Sequence, residues 1–486
     1  MCIRDRNKAA CFQGHLKEKL RSINKGTPLD NQSEHTNKHL LAKPSYMAAL
    51  RLAMPVILLN CTFAGMQATD AWVLGKIGST ELAAMTLPSM SIFVIVSFAY
   101  SFLGIVTALV GQNYGAGKLQ LCGHYAWLGI IFAIFVGTLS IALWPIGSIF
   151  EFISGNTPQS LGNLESRYFK ISLLALPGVL ATNAIANYYL GIKKPTIVLL
   201  CSLLGLFLNV IITYGLVFGK GPLPEIGFDG AAWATVIASG IECIILFLHF
   251  ILAPSNKTMS TNQIPKSFNG FKKLWSSGLP AGVQGAVDVL SWGVLIGALI
   301  SYYGEEALGA ATILTRFMQF TFMPAEGVAT ILLALVANSI GKGSANMAKE
   351  HVKICFRINS LFMLSAGIVL FVFRYPLVSF FTDQKAIIDI ACGSIIFISI
   401  AQWFDAMNVT YLHALQGTGD TKWTSKANII LSIIILGVGG FTAITFFKDY
   451  GSSLIWALAM IYIILQGTLF WRRWKSNRWQ NLNLID

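Results

Sequence analysis

LAAMTLPSMSIFVIVSFAYSFLGIVTALV (82–110) contains no charged residue and then breaks at GQNYGAGK (111–118). An apolar run of that length is longer than the about 20 residues a helix needs to cross a bilayer. Comparable runs occupy 47–75, 124–148, 168–190, 196–218 and 230–253. A second set follows at 275–303, 307–338, 352–375, 387–414, 427–447 and 452–474. The breaks between them carry turn residues, at Gly115–Gly117, Gly191 to Pro195, Gly219 to Pro224, Gly341–Gly343 and Gly417–Asp420. The expected fold is therefore an all-α polytopic membrane protein with twelve transmembrane helices.

Composition agrees. Of 486 residues, 55% are apolar and 12% charged, where a soluble domain is about one quarter charged. This excludes a soluble enzyme and a disordered or fibrous chain. The formal charge of +13 is not gathered on one polar domain, so nucleic acid is not an expected partner. If both termini are cytoplasmic, 26 of the 35 Lys/Arg fall on inner segments and seven on outer ones. Such a bias fixes orientation and supports an even number of spans. Residues 1–45 read as a polar, basic cytoplasmic tail without the pattern of a signal peptide. Its opening MCIRDR resembles translated adaptor sequence, with Met47 the next candidate start. The eight cysteines form no CxxC motif and read as buried free thiols.

An internal repeat divides the chain. LVGQNYGAGK (109–118) and LVANSIGKGS (335–344) share Leu, Val and two Gly at an offset of 226. STELAA (79–84) falls opposite EEALGA (305–310), Gly191 opposite Gly417, and Pro55 opposite Pro280 at 225. Six helices return the chain to its starting side, so the halves share one orientation, as in a parallel repeat. The expected division is an N-lobe at 46–254, a cytoplasmic linker at 255–274, a C-lobe at 275–475 and a short tail at 476–486. Two six-helix lobes then enclose a central cleft, where transporters bind substrate.

Five carboxylates fall at membrane depth: Asp70, Glu242, Asp288, Glu326 and Asp405. An ionised side chain there costs about 2.5–3.5 kcal/mol on insertion scales, so each needs a use or a partner. Gln284, Asp288 and Trp292 fall at i+4 steps on one helix face, and Gln402, Asp405 and Asn408 at i+3. Asn60, Gln67 and Asp70 make a similar stripe on the first helix. Polar stripes turn inward because lipid offers them no partner. Asp70, Asp288 and Asp405 thus read as cation- or proton-coupling residues. Glu326, just after Pro324, either faces the cleft or pairs with Arg316, while Glu242 reads as a packing carboxyl. Trp292 is the candidate for stacking on a cationic substrate.

Enzyme signatures are missing. GQNYGAGKL (111–119) is one residue too long for a phosphate loop, and Leu119 stands where Ser or Thr would bind magnesium. No HExxH motif occurs, so no resident cofactor is expected. A membrane-embedded enzyme, a major facilitator transporter and a lipid-linked precursor flippase are the rivals. The first lacks a catalytic cluster and the second its basic loop after helix two. The third would hold diphosphates with cleft Arg or Lys, for which only Arg316 could serve.

Several stretches together resemble the multidrug and toxic compound extrusion (MATE) transporters, NorM-like branch. They are TDAWVLGKIGSTELAA (69–84), LVGQNYGAGK (109–118), LGIKKP (190–195), FGKGPLPEIGFDGAAWAT (218–235) and LQGTGDTKW (415–423). The resemblance implies an antiporter of a bacterial inner membrane, working as a monomer by alternating access. It would export cationic or amphipathic compounds in exchange for H⁺ or Na⁺. Asp70 matches the family's first-helix acid, Asp405 its tenth-helix acid, and Asp288 a seventh-helix position that usually holds Glu. Asp288 and Asp405 together match a C-lobe cation site that would hold Na⁺. Asn209 fits a helix-five position, but Thr213 replaces the Asp four residues later. That departure shifts the expected coupling site to the C-lobe. Gln67, Asn209, Gln284, Trp292, Glu326, Gln402 and Asn408 complete the expected cleft.

Overall fold

The computed structural model describes residues 44–154, 160–265, 267–482 and 484. The basic tail at 1–43, with Cys2 and Cys11, lies outside the described residues. Among those described, the chain is helical and no strand forms. Eleven helices are long and apolar enough to cross a membrane, and a bent pair makes the twelfth span. In chain order they are α1 (Tyr46–Ile77), α2 (Thr86–Gly115), α3 (Leu119–Ser140) and α4 (Leu161–Leu173 with Leu176–Gly191). Next come α5 (Pro195–Phe218), α6 (Asp229–Leu252), α7 (Phe271–Ser301) and α8 (Glu305–Gly341). The last four are α9 (Ala345–Val372), α10 (Lys385–Thr418), α11 (Thr421–Phe446) and α12 (Ser453–Lys475).

Local chemistry sets the ends and breaks. Ser45 caps α1, its Oγ accepting from the Ala48 amide at 3.2 Å. The pieces of α4 meet at 45°, where Pro177 cannot donate to the preceding turn. Helices α7 and α11 each contain a π-helical turn, at Leu290–Leu295 and Ser432–Val438. The two turns touch through Ser291 and Ser432, whose hydroxyls lie 2.5 Å apart.

Packing repeats after six helices. In the first half α2 packs on α3 and α4, α3 on α4, and α5 on α1 and α6. In the second half α8 packs on α9 and α10, α9 on α10, and α11 on α7 and α12. Contacts between the halves run through α2 with α7 and α8, and α1 with α8. Large apolar side chains such as Phe135, Leu200 and Leu361 stay 63–74% exposed, a surface suited to lipid. Cys122 and Cys355 are buried free thiols, Cys201, Cys243 and Cys392 are half-buried, and Cys61 is exposed on α1 rather than buried.

At one end of the bundle the halves meet by a reciprocal contact. Gln112 on α2 donates to the Gly417 carbonyl at 3.0 Å, and Asn338 on α8 donates to the Gly191 carbonyl at 3.0 Å. Gln112 and Asn338 are repeat equivalents, as are Gly191 and Gly417. A Cβ on Gly115 would stand 2.2 Å from the Asn338 carbonyl oxygen, and one on Gly341 2.0 Å from that of Gln112. Only glycine allows the two backbones so close. Leu484 closes the same end, its amide donating to Gln112 Oε1 at 3.1 Å and its side chain resting on Gly419.

Candidate functional site

In the first half the site is built around Asp70, 5% exposed on α1. Thr213 of α5 donates to its Oδ1 at 3.3 Å and Thr235 of α6 to its Oδ2 at 3.1 Å. Asn209, one turn before Thr213 and fully buried, donates to Thr235 Oγ1 at 3.3 Å. Thr213 therefore does more than vacate an acidic position. It gives Asp70 a donor where a second carboxylate would have repelled it.

The second half gathers more acids. Asn428 of α11 donates to Asp288 Oδ1 at 2.8 Å, and the Tyr462 hydroxyl of α12 is also in hydrogen-bonding reach of that carboxyl. Gln466, one turn along α12, donates to Tyr462 at 3.2 Å. On α10, Asn408 donates to Asp405 Oδ1 at 3.2 Å. Each amide spends its N–H₂ on a carboxylate, and the buried Oδ1 of Asn408 and of Asn428 has no protein partner. The Oε1 of buried Gln402 is in the same state. Acceptors thus outnumber donors around Asp288 and Asp405, an arrangement that suits a cation bound through oxygen. Glu326 of α8 acts electrostatically on both aspartates and pairs with His413 of α10 at 3.1 Å.

Other sequence candidates fall elsewhere. Gln284 is buried and accepts from Ser425 at 3.2 Å, tying α7 to α11. Gln67 is exposed and joins neither cluster. Trp292 packs edge-on against Tyr462 and faces an apolar pocket with Met318, Phe397 and Trp456, so it backs the site instead of facing Asp288. The π turn at Leu290–Leu295 breaks the i+4 register that had placed them on one face. Arg316 is exposed and bonds Gln319 at 3.2 Å, not Glu326. Glu242 accepts from Ser202 at 2.5 Å across the α5–α6 contact. Sequence reasoning missed Thr235, Asn428 and Tyr462. A lone Asn in ANIILSIII and the Tyr462–Gln466 pair at i+4 were the available signals.

The joined end of the bundle is basic. Lys193 follows Gly191 and holds φ of +60°, a left-handed conformation unfavourable to a long side chain. Burial, and then the neighbouring Lys342 cation, push its ammonium down from 10.5 to about 8. Burial also lowers the pKa of Lys342. The contact at this end therefore brings two cations together across the two halves.

Relatives and solved structures agree with this architecture. A protein named probable multidrug resistance protein NorM, from Thermotoga maritima, is 25% identical over 89% of this chain and 92% of its own. The eukaryotic MATE transporter AtDTX14 superposes with a TM-score of 0.80 at 18% identity, over 89% of this chain and 96% of its own. A mutant of the Vibrio cholerae MATE transporter VcmN gives 0.76 at 19%, over 90% and 98%. The MatE family model matches residues 55–215 and 286–440, one stretch in each half. The chain belongs to the MatE family.

Proposed function

We propose that the protein is a secondary active antiporter that exports cationic or amphipathic small molecules in exchange for H⁺ or Na⁺. The carrying observation is the acceptor surplus around the half-buried Asp288 and Asp405, in a bundle whose halves meet by a pseudo-symmetric contact. Several relatives are named multidrug resistance proteins. Asp288 and Asp405 would hold either a cationic substrate or the coupling ion, so that one displaces the other. Sodium would take oxygens from Asp288, Asp405 and the amide side chains of Asn408 and Asn428. A proton would neutralise one carboxylate. The basic end would face the cytoplasm, in keeping with the positive-inside bias. The six-helix halves would then rock as lobes about α1, α2, α7 and α8.

Ethidium export from proteoliposomes under separately imposed proton and sodium gradients tests this reading. One gradient should drive export, and Asp288→Asn or Asp405→Asn should lower driven export at least tenfold while the protein still purifies folded. Export indifferent to both gradients refutes antiport, and wild-type export by both variants refutes the second-half site.

A further inference from the structure

His413 differs from the neighbouring polar groups because both ring nitrogens are engaged. Nδ1 lies 2.9 Å from the Val409 carbonyl oxygen, which can only accept, so the network assigns a hydrogen to Nδ1. Nε2 lies 3.1 Å from Glu326 Oε1. A neutral imidazole with Nδ1–H would point the Nε2 lone pair at an ionised carboxylate, setting two acceptors against each other. The contact needs one more proton, either on Nε2 or on the carboxyl.

The pair is also placed to exchange that proton. The Glu326 side chain is 30% exposed and that of His413 11%, so the carboxyl is the more accessible end. Asp288 and Asp405 are the acids facing it, with Tyr462 beyond them on α12. The contacts that α1 and α9 make with α8 beside Glu326 are through uncharged amides, and α2 meets α8 further along. Asn60 of α1 bonds the Met323 carbonyl at 3.5 Å, Asn359 of α9 bonds that of Ala325 at 3.2 Å, and α2 meets α8 through Gly111, Gly115 and Gln112. Pro324 and Gly327 flank Glu326, and a Cβ on Gly327 would stand 3.0 Å from Ile57 Cα. Glu326 thus sits where α8 crosses α1, at a contact between the two halves.

We propose that Glu326 and His413 form a proton-binding site, which takes one proton from water, holds it between Oε1 and Nε2, and returns it once per transport cycle. This rests on the antiport reading and adds to it a site distinct from Asp288 and Asp405.

The test uses the full-length protein in nanodiscs, ¹⁵N-labelled at its seven histidines, with His413 assigned from His413→Gln. Wild-type Nε2 should show a single protonation step across the pH range in which the protein stays folded. E326Q should displace that step by about one pH unit or more, and E326D, which keeps the acid, by less than about half a unit. In proteoliposomes, E326Q and H413Q should each lose the response of ethidium export to a proton gradient, and the double variant should lose no more than either. A His413 signal indifferent to E326Q, or an export–pH profile unchanged in both single variants, overturns the site. If wild-type export ignores both gradients, the antiport reading fails, and the nitrogen titration still decides whether the pair binds a proton.

Discussion

Replacing Gly341 by alanine should hold the basic end open. The new methyl carbon would stand 2.0 Å from the Gln112 carbonyl oxygen, 2.8 Å from its carbon and 3.0 Å from the Ala116 nitrogen. Non-bonded heavy atoms settle at about 3.5 Å, so α2 and α8 must separate there by about 1 Å. Overpacking of this kind costs about 1–3 kcal/mol. The shift also stretches the reciprocal bonds from Gln112 and Asn338, each 3.0 Å long and each worth about 1 kcal/mol net. Since the penalty exists only while the ends touch, about 2 kcal/mol moves the equilibrium toward separation roughly thirtyfold. Spin labels at positions 118 and 342, in a background without native cysteines, would report it as a longer distance population. Ethidium export should fall in parallel. Gly115→Ala meets the Asn338 oxygen at 2.2 Å and should behave alike. If both variants keep the wild-type distances and export, the contact is not a gate.

Substitutions at two further positions probe groups outside the proposed ion sites. Lys193→Met should raise the thermal midpoint at pH 7, because it removes a half-buried cation facing Lys342. Between about pH 8 and 10.5 the folded protein binds fewer protons at this lysine than the unfolded chain, so its destabilising effect is full below 8 and fades above. The gain from Lys193→Met should therefore shrink as pH rises through 8, and a gain independent of pH would count against the charge argument. Lys193→Gly should stabilise more, since it also removes the left-handed strain at φ +60°. Glu242→Gln should leave export and thermal midpoint near wild type, because the amide can still accept from Ser202 and fill the space against Gly205. Glu242→Ala should cost about 2–3 kcal/mol through the cavity and the stranded hydroxyl. Lost export in a folded E242Q would give Glu242 a transport role after all.

Helix number, the parallel repeat and the chain breaks were legible because they depend on run length and on glycine and proline, which act locally. The partners of the acids within the spans were not. Glu326 has Arg316 within reach in sequence, but ten residues turn a helix far from a whole number of turns, and its partner came from α10. Asp288 and Trp292 looked like one face until a π turn rotated the helix between its acid and its tryptophan. Such a turn depends on packing between α7 and α11, which no periodicity within α7 records. Thr213 was visible as a departure from the family pattern, yet only the meeting of α1, α5 and α6 shows what it donates to.

The repeat itself is kept unevenly, and the unevenness has a physical reason. At the basic end its glycines recur one for one: Gly115 with Gly341, Gly117 with Gly343, Gly191 with Gly417. Lys193 even takes the left-handed conformation of its equivalent, Gly419. A contact between two copies about a pseudo-twofold axis uses the same surface twice, so a change on one side must be matched on the other. The polar clusters around Asp70 and around Asp288 and Asp405 face no such demand, because the side chains that bond these aspartates come from helices of their own half. Offset by 226, Asp405 corresponds to Val179, His413 to Asn187 and Glu326 to Tyr100. One half can therefore hold a single aspartate satisfied by hydroxyl donors while the other gathers acids and unpartnered amide oxygens. The polar clusters can differ between the halves without disturbing the contact that joins them.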